Sequence, residues 1–157
     1  MLSTLKKANL YLSYFGFSKV PLLWLSRPKI LAMDEEMVEI KIPLKRRTKN
    51  HLNSMYIGAL VMGADVAGGF MAAMKAQKQG RKISLAFKGL KADFLMRPES
   101  DVHFICRDGR LIDEMLEETL ATGERVNQDV RITAICPDLH GDKAMAEFDL
   151  TLSIKAR

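Results

Sequence analysis

One acidic side chain stands out for what surrounds it. From Met55 to Met74 the only charged residue is Asp65, set in a run of Ala, Gly and bulky apolar residues with glycines at 58, 63, 68 and 69. A lone carboxylate in such a stretch can act as a base or nucleophile, can pair with an arginine, or can cap the backbone of a neighbouring segment. If the run is a helix, its first residues present free N–H groups at the positive end of the dipole. A glycine near that start, Gly58, lets a ligand carbonyl approach those donors. The other three glycines read as packing glycines. Asn50, just upstream, can orient a water or carbonyl or hold a loop.

Other chemistry-bearing types form no constellation. Cys106 and Cys136 stand 30 residues apart with no C-x-x-C pair and no histidine cluster, which argues for buried thiols in a reducing, cytoplasmic setting and against a metal site. His51, His103 and His140 are scattered; His140 lies in a turn with Gly141, and His51 alone falls near the candidate site. The net charge of +5, from 24 basic and 19 acidic residues, favours anionic ligands without naming one. Aromatics are not interleaved with the basic clusters as a base-stacking surface requires, so nucleic-acid binding is not expected.

The elements that must position these residues follow from periodicity. Residues 3–17 and Leu22–Leu25 predict two short helices, and residues 1–33 are expected to form a helical extension packed on the domain, membrane contact being the minor reading. Val38, Ile40, Ile42 and Leu44 alternate with charged residues and predict a strand. The run 55–74 is long enough to span a membrane, but its glycines, its carboxylate and the amphipathic strands around it predict a helix buried on nearly all sides, Asp65 included. Ile83, Leu85 and Phe87 alternate in one phase and Leu90, Ala92, Phe94 and Met96 in the other. The slip at Lys88–Gly89 predicts a β-bulge that bends a long strand. A strand at 102–106, an amphipathic helix at 111–122 stopped by Gly123, and strands at 126–136 and 144–154 complete an α+β domain over residues 34–157, with about five antiparallel strands and one long helix. Met55, Met62, Met71 and Met74 on that helix suit either a core or an adaptable apolar pocket.

In this order of elements, the stretch Asn50-His51-Leu52-Asn53-Ser54-Met55-Tyr56-Ile57-Gly58-Ala59, with Ala64-Asp65 after it, resembles the hotdog-fold thioesterases of the phenylacetyl-CoA-thioesterase-like branch. There an Asn and then His-Gly-Gly-Ala open the central helix, and Ala-Asp follows about two turns later. Phe94 to Pro98 is similar to that family's segment in which an aromatic residue precedes Arg-Pro. The resemblance covers roughly residues 36–157. It implies a long central helix wrapped by a curved antiparallel sheet, and hydrolysis of an acyl-CoA or acyl-carrier thioester at the helix N-terminus with no metal or cofactor. It also implies a homodimer, which can pair into a dimer of dimers, because the acidic residue of the family commonly acts across a subunit interface. Asp65, Asn50 and Gly58 then stand at the catalytic positions, with Tyr56, Ile57 and Asn53 on the substrate side. Lys45-Arg46-Arg47-Lys49 and Arg81-Lys82 become candidates for phosphate contact. The departure is chemical: Tyr56 falls where the family has histidine, and Ile57 where it has its first glycine. The alternative is therefore a non-catalytic hotdog domain that binds an acyl chain or acyl-CoA.

Overall fold

The run of small and apolar residues after Tyr56 does form a helix, and everything else is arranged around it. In the computed structural model, which describes residues 2–157, the elements are α1 (Thr4–Lys19), α2 (Pro21–Ser26), β1 (Lys29–Met33), β2 (Val38–Ile42), α3 (Ile57–Lys78), β3 (Ile83–Phe94), β4 (Val102–Cys106), α4 (Gly109–Thr122), β5 (Val126–Ile135), α5 (Pro137–His140) and β6 (Ala144–Ala156). The six strands form one antiparallel sheet in the order β1-β2-β4-β5-β6-β3, curved around α3.

The sheet has one strand more than expected. Lys29–Met33 lies inside the segment assigned to the extension, has no polar–apolar alternation, and buries fully only Ile30. It becomes a strand because β2 offers it backbone partners, a tertiary cause that periodicity does not register. Its outer side is closed by Asn9 of α1, whose amide nitrogen donates to the Ile30 carbonyl at 2.9 Å and whose Oδ1 accepts from the Ile30 N–H at 2.8 Å. A side chain thus stands in for a neighbouring strand and blunts this edge.

The phase slip at Lys88–Gly89 is a bulge, with the β3–β6 register shifting between Phe87 and Gly89. Gly123 ends α4 in the left-handed conformation, φ 74°. The buried face of α3 meets the sheet at close range: a Cβ on Gly63 would collide with the fully buried Phe104 ring. Although α3 is long and apolar enough to cross a membrane, more than half of its most apolar stretch is buried within the domain, as a core helix requires.

At the far end of α3 the buried Lys75 donates to the Glu35 carbonyl at 2.8 Å and to Asp113 Oδ2 at 3.0 Å, tying the helix to the β1–β2 turn and to α4. Both cysteines are buried and unpaired, and burial pushes the Cys106 thiol up to about 11. Thiol reagents added at neutral pH are therefore expected to label neither cysteine rapidly in the folded protein and both after unfolding, a difference readable by absorbance.

Candidate functional site

The start of α3 is uncapped. Tyr56 is the N-cap in an extended conformation and its side chain makes no capping hydrogen bond. Its carbonyl accepts from the Ala59 and Leu60 N–H groups, while the Ile57 and Gly58 N–H groups have no partner among the described residues. Two donors at the positive end of a 22-residue helix are a fixed-dipole site for a carbonyl oxygen that gains negative charge. The Tyr56 ring, itself exposed, folds across Gly58, so a Cβ there would strike it.

Asp65 is seven residues further along the same helix. The expectation that it is buried is corrected here: its side chain is exposed, because the stripe Gly58–Val61–Met62–Asp65 on α3 faces the one side that the sheet does not cover. It opens into a groove of about 570 Å³ between α2 and β3, lined by Leu22, Leu23, Phe87, Lys88, Leu90 and Leu150 besides the helix stripe. A second groove, of about 450 Å³, shares Asp65 and runs on between α1 and β3 past Phe15, Gly69 and Ala73 to Arg157. Asp65 makes no hydrogen bond or ion pair among the described residues. The apolar walls take away much of its hydration, and that desolvation alone holds its carboxyl above the usual aspartate range. Access and partial desolvation coexist in a concave surface: solvent touches the oxygens, but little of the surrounding volume is water.

The remaining candidates divide between two places. Asn50 and Ile57 line a different cleft, about 440 Å³, with Leu52, Met55, Phe94, Arg97 and Pro98. Asn50 holds its loop, its Oδ1 accepting from the Leu52 N–H at 2.9 Å and from the Ser54 hydroxyl at 3.1 Å; its amide nitrogen is left free of that network. Asn53 sits at the exposed tip of this loop with φ 60° and lines neither cavity. His51 is exposed on the same loop. His103 faces Glu39 across β2 and β4 at 2.7 Å and lines neither cleft. Lys45, Arg46 and Arg47 occupy the exposed turn at the N-terminal end of α3, whereas Arg81 and Lys82 follow its C-terminal end, away from the free donors. Of the four helix-associated methionines, Met55 and Met71 are core and Met62 lines the Asp65 groove.

Sequence reasoning missed the groove wall. By sequence Val20, Leu22 and Leu23 belong to the extension and Phe87 and Leu90 to a strand, with nothing in their types to mark a shared wall. The bulge is the available signal, since it lies in the wall of the groove that Asp65 opens into and leaves Lys88 without a pairing partner there.

Comparison with solved structures gives the same architecture along the whole chain. A Chlorobaculum tepidum protein of unknown function superposes with a TM-score of 0.82 at 15% identity, covering 98% of this chain and 98% of that one. A Shewanella oneidensis protein assigned provisionally as a thioesterase gives 0.77 at 14% identity over 96% and 98% of the two chains. A Haemophilus influenzae thioesterase gives 0.71 at 17% identity over 99% and 93%. At these identities the likeness establishes the hotdog fold and leaves chemistry to be argued from the residues. No curated protein matches the sequence. One family model does, from residue 9 to residue 154, and the chain therefore belongs to the family described as a domain of unknown function, DUF4442.

Proposed function

We propose that the protein is a thioester hydrolase acting on acyl-CoA or an acyl-carrier thioester, with its site completed between two copies of the chain. The observation that carries this reading is the pairing of two unpartnered helix N–H groups with an unpaired, desolvated carboxylate beside an apolar groove. The donors hold the thioester carbonyl and stabilise its oxyanion. Asp65 takes a proton from water as the water oxygen bonds to the carbonyl carbon; the C–S bond then breaks, and the thiolate leaves with the proton.

One chain does not align these parts. Seven residues of helix place Asp65 about 10 Å along the axis from Gly58, whereas a general base works within about 3 Å of its proton, or through one water. The free edge of the sheet supplies a remedy. β3 is twelve residues long, stands at the end of the strand order, and carries exposed Leu90 and Phe94, followed by exposed Leu95, with no further strand along its outer side. Such an edge is a template for pairing. Antiparallel pairing of two β3 strands about their middles would lay Phe94 of one beside Ile83 of the other, where the second Asp65 groove begins. The Asn50 cleft and free helix donors of one chain would then adjoin the Asp65 groove of its partner. Exposed Leu52, Tyr56 and Ile57 at the helix start would be covered in the same step.

The alternative, an acyl-binding domain without turnover, draws on the Tyr56 ring, which lies across Gly58 and so shields the donors. Thiol release from short, aromatic and long-chain acyl-CoAs by the purified protein separates the two. Turnover with one class is the expected result; tight binding with no thiol released from any donor would overturn hydrolysis in favour of binding.

A further inference from the structure

The first 33 residues contain Lys6, Lys7, Lys19, Arg27 and Lys29 and no acidic residue, so they account for the whole net charge of +5; the rest of the chain is balanced. The structure adds where their apolar residues point. The inner face of α1 buries Ala8, Leu12 and Gly16, and α2 buries Leu23 and Ser26. On the outer face Leu10, Tyr14 and Phe17, at i, i+4 and i+7, are 63%, 67% and 65% exposed, and Leu22 and Leu25 of α2 are 65% and 46% exposed. The two helices are held as one surface: Gly16 lets the Trp24 backbone approach α1, the Phe17 and Trp24 rings meet edge to face at 5.5 Å, and the Arg27 guanidinium lies 4.4 Å over the Trp24 ring. The extension thus packs on the domain by one face and leaves the other open.

We infer that the outer face of α1 and α2 docks on an anionic lipid bilayer. Five aliphatic and aromatic side chains projecting from two short helices are more than isolated surface apolars need to explain, and they mark a contact surface. Its chemistry fits an interface between water and hydrocarbon: apolar residues in the centre, the polar tip of Tyr14 among them, and lysines beside them at positions 6 and 7, which extend to lipid phosphates. A second copy of the chain is the poorer occupant. Two-fold contact places a patch against itself, and the cations of these helices outnumber the carboxylates at their margin, Asp34 and Glu35 beside Lys7 and Asp65 in the groove. The free β3 edge is a separate surface, so docking and dimerisation do not compete for it. Val20, Leu22 and Leu23 also wall the Asp65 groove, which sets that groove at the bilayer surface whichever chemistry it performs.

Trp24 is the only tryptophan, so the full-length protein carries its own probe. Vesicles of phosphatidylcholine alone, and of equal parts phosphatidylcholine and phosphatidylglycerol, are to be titrated while Trp24 emission and flotation are recorded. The expected result is a blue shift and co-flotation with the anionic vesicles only, weakening as salt is raised. Lys6→Gln with Lys7→Gln should lower partitioning about thirtyfold at low salt. Leu10→Ser with Phe17→Ser should lower it by roughly a hundredfold or more, with only a small fall in the thermal unfolding midpoint from loss of the Phe17–Trp24 edge-to-face contact. Equal binding to the two lipid compositions, binding to neither, or undiminished binding by the Leu10/Phe17 variant would each overturn the inference. So would loss of self-association in that variant, which would identify a second copy as the occupant.

Discussion

Asp65→Asn is expected to cut thioester turnover by at least about a hundredfold while raising thermal stability at neutral pH. The activity loss follows from the role of the carboxylate as proton acceptor, worth roughly 10²–10⁴-fold when correctly placed. The gain in stability follows from its surroundings. In the folded chain Asp65 lies against the apolar groove without a hydrogen-bond or ion-pair partner, and desolvation raises its pKa. A folded-state pKa above the unfolded one means that, between the two values, the folded chain binds more protons. Stability contributed by the group is therefore lost as pH rises through that window and stays lost above it. The amide has no charge to desolvate. Melting profiles of parent and variant should thus coincide below the unfolded pKa of an aspartate, near 4, and separate above it with the variant higher. Parent turnover should fall as acid protonates the carboxyl, starting above that same value. A variant as active as the parent would remove Asp65 from the mechanism; a variant less stable at pH 7 would mean that the carboxylate has a partner across the subunit interface. The combination of higher stability and lost activity is the signature of a functional group held in an unfavourable place.

The second large effect is structural. Gly109 begins α4 where the β1–β2 turn crosses it, its N–H donating to the Glu36 carbonyl at 3.1 Å. A Cβ at this position would run into the Glu35 carbonyl and lie 2.7 Å from the Glu36 Cα and the Met71 terminal carbon. The first two are backbone, and Lys75 pins the Glu35 carbonyl from the other side, so the turn has no direction in which to yield. Gly109→Ala is expected to cost about 3 kcal/mol, at the upper end for overpacking, and to lower the melting midpoint by roughly 6–12 °C for a domain of this size. Chemical denaturation of the purified variant gives the check; an unchanged midpoint would show the turn to be mobile.

Much of the frame was legible in the residues themselves. Periodicity in 83–96 located not only a strand but the position of its bulge, because a single extra residue inverts every later side chain and the inversion is visible in the order of apolar and polar types. The apolar run of α3 and the alternation of β5 and β6 were equally plain, since each element's pattern records which of its faces is buried. What eluded the reading was whatever depended on a neighbour. β1 exists because β2 and Asn9 bond to it, and its own five residues do not announce it. A helix apolar all round predicts a buried Asp65, yet a helix can be apolar on a side the sheet leaves open. The local pattern cannot distinguish a face covered by the fold from one waiting to be covered by a ligand or a partner.

The same limit divides the rest. The amino-acid order by itself determined the class of fold, the single carboxylate of the central helix and the cationic N-terminal segment, because these depend on residue types and short-range spacing. Only the tertiary structure decided that Asn50 and Asp65 open into different cavities of one chain, that the bulge and the carboxylate share one groove, and that Leu10, Tyr14 and Phe17 point away from the core. Those facts arise from how a curved sheet closes around one helix, and the closure is set by contacts between residues far apart in sequence.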